Sequence, residues 1–114
     1  MDTETKSSLN TMLDTAYLSL SKAVEAQSTA NQNLADMKTA LELAKASKII
    51  SGAIQGKNET ERKASEATVL AAEIDAVKSA EKNQTICALV LHLCEIEAER
   101  VRWKIRIEVG ADQQ

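Results

Sequence analysis

Three residues with soft metal-binding side chains, Cys87, His92 and Cys94, lie close together in the sequence. Thiolates and imidazoles are the usual zinc ligands, and a structural zinc site takes four. On a helix the two cysteines share a face about 10 Å apart along the axis, and the histidine points about 140° or more away from each. One chain therefore closes neither a metal site nor an intrachain disulfide. We expect two small seam residues and a histidine at the rim, with no metal and no cofactor.

A basic cluster near the C-terminal end is the best candidate for a binding function. It surrounds Trp103 and consists of Arg100, Arg102, Lys104 and Arg106. Cations beside an aromatic ring can hold phosphates and stack a base, so nucleic-acid contact is the alternative function. Nearby glutamates offset this charge, and cations are also favourable near a helix C-terminus. Helix-end electrostatics and contacts with a protein partner are the simpler interpretation.

No pattern in the chain predicts catalytic residues. His92 is the single histidine, and no Ser or Cys can be placed beside it together with an orienting acid. The pair Gly56-Lys57 suggests a phosphate loop, but that motif requires Ser or Thr where Asn58 stands. Gly52 also has the wrong spacing, and no strand precedes it. We therefore expect a protein that is not an enzyme.

The composition predicts one helical domain spanning residues 1–114. There is no proline among the 114 residues, the hydrophobic content is 44% and the net charge is −3. That charge is too mild to indicate nucleic-acid binding. The acidic start Met1-Asp2-Thr3-Glu4 does not resemble a signal peptide, and the apolar run at 86–91 is too short to span a membrane. With two cysteines, these features predict a soluble protein of a reducing compartment, not associated with membranes.

The first arm predicts a long helix over about residues 8–55, capped by Ser7 or Ser8. Its apolar positions advance by steps of four and three. This first-arm seam is Leu9, Leu13, Ala16, Leu20, Ala23, Gln27, Ala30, Leu34, Met37, Leu41, Ala44 and Lys48. A helix of this length cannot bury such a stripe alone, so it requires a partner helix of similar length.

The glycines and capping residues near the midpoint of the chain predict the elbow of a helical hairpin at 56–58. Gly52 or Gly56 can supply the left-handed residue that ends a helix, and Gly56 is preferred because Ala53-Ile54-Gln55 is good helix sequence. Asn58 is the predicted N-cap of the next helix, with Glu61 completing a capping box. A connection this short makes the two helices antiparallel.

The second arm predicts a helix over about residues 59–109. Its first half carries an alanine-rich stripe formed by Ala64, Ala67, Leu70, Ala71, Ile74 and Val77. Folding at residue 57 places residue i opposite about 114 − i, so that Leu20 faces Cys94 and Leu13 faces Val101. The polar segments 27–33 and 81–85 then meet in a polar waist that helps to fix the register.

Two apolar seams run along the C-terminal half of the second arm. The first seam is Cys87, Leu91, Cys94, Ala98, Val101 and Ile105. The second seam is Ile86, Leu89, Leu93, Ile96, Arg100, Trp103 and Ile107. One partner helix covers only one of them, and an exposed stripe of this kind is sticky. We expect a homodimer that buries the second seam in a four-helix assembly, with a different protein partner as the alternative.

The segment 101–109 carries a conflicting signal, because apolar and charged residues alternate along it. Such alternation is typical of a strand, which would have to pair with another chain. Both seams continue through the segment and no turn residue precedes it. We therefore predict helix, ended by Gly110.

The segment 54–64 resembles the elbow of small helical proteins encoded by bacteriophages and prophages. In these proteins a long alanine-rich helix leads into a G-K-N-x-x-x-R-x-A turn and a second long helix. The matching residues are Gly56, Lys57, Asn58, Arg62 and Ala64. The resemblance implies an all-α accessory protein in the bacterial cytoplasm and no catalytic residues.

From these features we expect a non-enzymatic, dimeric helical hairpin that binds a host or phage protein. The roles considered are an assembly factor and an inhibitor of a host defence system.

Overall fold

A computed structural model describes residues 2–112. These residues form three α-helices: α1 (Thr3–Ile50), α2 (Glu59–Val69) and α3 (Ala71–Asp112). The fold is an all-α helical hairpin, as predicted, with α1 as one arm and α2 with α3 as the other. The described residues fall into two compact units. The first comprises the described residues of Met1–Ser28 and Ile86–Gln114, and the second is Thr29–Thr85.

The first helix starts earlier and ends earlier than predicted. The side chain of Asp2 accepts a hydrogen bond from the backbone N–H of Thr5 at 2.7 Å, so Asp2 caps the helix in place of Ser7 or Ser8. That backbone hydrogen bond lowers the pKa of Asp2. Along α1 every position of the first-arm seam is buried or half-buried except Lys48, which is exposed.

The prediction that Gly56 ends the first helix is wrong, because Gly52 does so. Gly52 has φ of 77°, in the left-handed region that favours glycine. Its N–H donates to the carbonyl of Ile49 at 3.1 Å, and the N–H of Ala53 donates to that of Lys48 at 2.9 Å. This pair of bonds is the Schellman arrangement. Helix propensity at 53–55 is therefore overridden, and the elbow extends over 51–58.

Gly56 has a different role in the elbow, because its lack of a side chain lets the first turn of α2 lie close to its backbone. A Cβ atom there would lie 2.7 Å from the backbone nitrogen of Arg62. Asn58 is the N-cap of α2, as predicted, and its side chain accepts from the N–H of Glu61 at 2.9 Å. The carboxylate of Glu61 accepts from the N–H of Lys57 at 2.7 Å, one residue before the position that a capping box uses.

The second arm is interrupted at Leu70, where one continuous helix was predicted. Leu70 has φ of −105° and ψ of 20°, and its side chain is 1% exposed. The predicted alanine-rich stripe is also wrong in part, because Ala64, Ala67 and Ala71 are exposed. No glycine or proline stands at the break. The interruption coincides with the most buried side chain of the second unit.

Polar side chains of the two arms contact each other within the second unit. Lys45 and Glu66 form an ion pair at 3.5 Å, and the amide of Gln84 donates to that of Asn31 at 2.8 Å. The second contact joins the two predicted polar segments in an antiparallel register close to the expected one. The waist is not a buried polar layer, since Asn31 is exposed and the buried neighbours are Ala30, Leu34 and Ala80.

The core of the first unit is small and thin. Ala16 packs with Ala98 and Val101, and the flanking side chains are Met12, Leu13, Leu20 and Ile105. Leu13, Leu20 and Val101 thus belong to one cluster, in agreement with the predicted register. Small residues at the centre let the two helices approach closely.

The segment 101–109 is helical and lies within α3, so the predicted helix is confirmed and the strand alternative is wrong. The helix continues through Gly110 to Asp112 and does not end at Gly110. Among residues 2–112, no helix combines the length and apolar character that crossing a membrane demands.

Candidate interaction surface

The second seam lies on the side of α3 that faces away from α1. Each of its members except Ile107 precedes a first-seam position by one or two residues, which at 100° per residue puts the centre of the second seam about 150° from the first seam. The first seam is buried or half-buried throughout, whereas all members of the second seam are exposed. Helix α1 therefore covers one seam and leaves the other open, as the sequence predicts.

The exposed area of the second seam is large for a small protein. Its six apolar members are 53–66% exposed, from Ile96 and Trp103 at the lower end to Ile107 at the upper. A side chain of this size retains on the order of 100 Å² in that state, so the seam presents roughly 600 Å² of apolar surface. A monomer's largest patch is about 300–600 Å² and is often functional.

Arg100, the charged member of the second seam, is held by its own chain. Its guanidinium donates twice to Glu97, from Nε to Oε2 at 2.9 Å and from Nη2 to Oε1 at 2.6 Å. The hydrogen bond to Arg100 lowers the pKa of Glu97, and the same contact raises the pKa of Arg100. The paired arrangement fixes the guanidinium beside the seam and leaves its aliphatic stem available for packing.

A shallow apolar groove of about 440 Å³ adjoins the second seam within the first unit. Val90, Leu93 and Cys94 form its wall on α3, and Met12 and Ala16 line it from α1. Short polar side chains complete the α1 side: Thr11, Thr15 and Ser19. Leu93 belongs to both the groove and the second seam, so the two make one continuous apolar surface.

Arg102 of the basic cluster is used for contact between the arms. Its Nε donates to the hydroxyl of Tyr17 at 2.6 Å, and its guanidinium carbon lies 5.3 Å from the centre of the Tyr17 ring. It also pairs with Glu99 at 3.3 Å. The hydrogen bond to Tyr17, with that to Glu99, raises the pKa of Arg102. This residue therefore joins α3 to α1 across the side of the first unit.

The four basic residues do not form one surface. They occur at every second position of a helix, so each lies about 200° around from the one before. Arg106 stacks on Trp103 with its guanidinium carbon 5.1 Å from the ring centre. Lys104 lines a surface depression together with Glu4 and Glu108. The cluster thus consists of separate local contacts.

The cysteines and the histidine are placed as the helical geometry requires. Cys87 and Cys94 are half-buried thiols in the first seam, and His92 is exposed. In the described part of the chain, no group of three or more His, Cys, Asp or Glu side chains could hold a metal ion.

Two features of this surface were not predicted from the sequence. The contact between Tyr17 and Arg102 joins residues 85 positions apart, and the groove depends on short side chains of α1 lying opposite Val90. Neither follows from the 114 − i rule, which pairs Tyr17 with Glu97 and Val90 with Val24, so only the packing of the side faces reveals them.

In comparisons with known proteins, no family model, no curated protein and no solved structure matches the chain.

Proposed function

We propose that this protein is a non-enzymatic helical interaction module whose first partner is a second copy of the same chain. The observation that carries the proposal is the second seam, an apolar stripe that α1 leaves uncovered. Covering it with an identical stripe removes apolar surface from water on both copies. The dimer interface then consists of the second seam and the adjoining wall of the groove.

The area available supports this interface. The seam contributes roughly 600 Å² of apolar surface per copy, and the groove wall with the stem of Arg100 adds to it. A stable interface of standard size buries about 800 Å² per partner. The second seam alone is therefore close to what a specific dimer needs, without any contribution from the second unit.

We propose further that the dimer acts as an accessory protein in the bacterial cytoplasm, by binding a host or phage protein. The resemblance of the elbow to phage-encoded helical proteins supports this part. An assembly factor and an inhibitor of a host defence system both fit such a module. The exposed faces of α1 remain accessible to a further protein when the seam is covered.

Sedimentation equilibrium at micromolar concentration tests the dimer. The wild-type chain should sediment as a dimer, and the double variant Leu93→Glu/Ile96→Glu should sediment as a monomer with unchanged helical circular dichroism. The matched control is Leu18→Glu/Leu43→Glu, since these leucines are 56% and 67% exposed and lie outside the seam. A monomeric wild type, or equal behaviour of the two double variants, would rule out the interface.

The alternative of nucleic-acid binding is decided by a separate titration. Arg100 and Arg102 are already engaged with glutamates of their own chain, so none of the described contacts favours this function. Fluorescent duplex DNA and single-stranded RNA at low salt serve as probes. Binding that weakens with salt and is lost in Lys104→Ala/Arg106→Ala would establish it in place of the protein-binding role.

A further inference from the structure

We infer that the two copies pair antiparallel along α3, back to back, about a two-fold axis beside Ile96. This inference rests on the proposed dimer and specifies its geometry. The second seam lies about 150° around α3 from the first seam. A second copy that covers it must therefore approach from the side opposite α1. Residues 86–107 of α3 then lie between their own α1 and the partner's α3.

The position of Arg100 favours the antiparallel orientation. Arg100 is the charged member of a seam whose other members are apolar. A parallel, in-register pair would place it against the partner's Arg100 in the same layer, where two like charges share a partly buried site. An antiparallel pair centred on the seam midpoint, between residues 96 and 97, places Arg100 against the partner's Leu93. The arginine stem can then pack on leucine while Glu97 keeps the guanidinium paired.

The distribution of charge along α3 leads to the same orientation. Residues 100–106 contain the four cations, whereas residues 86–94 contain no Lys, Arg, Asp or Glu. A parallel pair would bring the two cationic segments side by side, with Glu97, Glu99 and Glu108 offsetting three of the four positive charges on each copy. In the antiparallel pair each cationic segment lies beside the uncharged segment of the partner; along the axis the segment centres are about 20 Å apart and the two Arg100 residues about 10 Å apart. Both separations exceed the Debye length of about 8 Å at physiological salt, so the mutual repulsion is screened.

The antiparallel register also covers the whole seam. It places Ile86 beside the partner's Ile107, Leu89 beside the partner's Trp103 and Ile96 beside the partner's Ile96. Each end of the stripe meets the other end, so no apolar member is left beyond the partner helix. The bulky Trp103, 53% exposed in the single chain, meets the smaller Leu89, which suits close packing of helices.

Cross-linking of introduced thiols tests the orientation. The background is the full chain with Cys87→Ala/Cys94→Ala, shown by sedimentation under reducing conditions to remain dimeric. Three single changes are added separately: Leu89→Cys, Ile96→Cys and Trp103→Cys. A short bismaleimide should cross-link the Ile96→Cys protein to itself. The Trp103→Cys protein should not cross-link to itself, because its two thiols would be about 20 Å apart.

The decisive sample is a co-refolded mixture of the Leu89→Cys and Trp103→Cys proteins, one of them carrying a size tag. The antiparallel pair predicts a mixed product of intermediate size. Self-cross-linking of the Trp103→Cys protein without a mixed product would establish a parallel pair and overturn the inference. A dimeric background in which the Ile96→Cys protein does not cross-link would overturn it as well. A wild-type chain that is monomeric refutes the proposed function itself, which separates the two failures.

Discussion

Replacing Leu93 by alanine should weaken the dimer by a predictable amount. Full burial of a leucine side chain contributes about 1.5–3 kcal/mol. Leu93 is 55% exposed in the single chain, so about half of that, roughly 1 kcal/mol, remains to be gained when the second copy covers it. Each dimer contains two copies of the residue. The expected loss is therefore about 2 kcal/mol, which raises the dissociation constant about 30-fold.

The chain offers a closely matched control for this change. Leu18 is 56% exposed, lies in the first unit as Leu93 does, and is outside the second seam. The Leu18→Ala protein should keep the wild-type dissociation constant, because its side chain stays in water in both states. Both substitutions create alanine in a helix, so their effects on helix propensity are the same.

The measurement is a dilution series followed by analytical ultracentrifugation, with far-ultraviolet circular dichroism to confirm equal helix content. The 30-fold change moves the dissociation midpoint by about one and a half decades of concentration. If the two alanine variants dissociate at the same concentration, the seam is not the contact surface. If Leu93→Ala changes helix content as well, the side chain supports the fold and the assumed exposure is wrong.

Three further predictions concern the fold and its ionisable groups. Leu70 is 1% exposed, so Leu70→Ala should lower the free energy of unfolding by about 2–5 kcal/mol. Leu43 is 67% exposed, so Leu43→Ala should lower it by less than about 0.5 kcal/mol. Urea titrations at fixed protein concentration measure both, and equal unfolding midpoints would contradict the burial of Leu70. Gly52→Ala should destabilise by about 1 kcal/mol, seen as a lower melting temperature, because φ of 77° disfavours a side chain. Because the pKa of Glu97 is lowered in the folded state, its pairing with Arg100 stabilises the folded state at pH values above the ordinary carboxyl pKa. That stabilisation is lost as the pH falls through the folded-state pKa. In the Arg100→Gln protein, an NMR titration of the carboxyl groups should show the pKa of Glu97 back in its ordinary range.

The elbow illustrates how far local sequence rules reach. Asn58 was identifiable as an N-cap because its side chain and that of Glu61 satisfy N–H groups within one turn of helix. The choice between Gly52 and Gly56 was not decidable in the same way. Both glycines permit a left-handed residue, and the intervening sequence favours helix. The hydrogen bonds from Gly52 to Ile49 and from Ala53 to Lys48 close the end of α1, so only the backbone geometry identifies which glycine ends the helix.

The break at Leu70 shows a second limit of sequence patterns. Residues 64–77 contain small and apolar side chains at helical spacing, without glycine or proline. A pattern of that kind predicts one helix, and nothing local marks residue 70 as exceptional. The α-helical hydrogen bonds continue across the residue, from the N–H of Leu70 to the carbonyl of Glu66 at 2.8 Å and from the N–H of Ile74 to the carbonyl of Leu70 at 2.9 Å. The deviation is confined to the dihedral angles of one buried residue, which periodicity does not mark.

The candidate surface was partly determined by the sequence. The spacing of the two seams established that α3 carries more apolar surface than α1 covers, because residues one or two positions apart on a helix cannot face the same neighbour. The basic cluster was identifiable as a group of charges, but the side-chain partners of its members were not. The pairing of Arg100 with Glu97, and the contact of Arg102 with Tyr17, depend on side-chain geometry and on the arm opposite.

The sequence by itself determined the helical arms, the antiparallel turn, the approximate register and the existence of an uncovered apolar seam. These follow from heptad spacing and capping chemistry, which act within a turn or two of helix. Tertiary structure alone decided which glycine ends α1, where the second arm breaks, and which cations are engaged by their own chain. The contact of Arg102 with Tyr17 joins residues 85 positions apart, and the other features depend on backbone and side-chain geometry that the spacing of residue types does not specify.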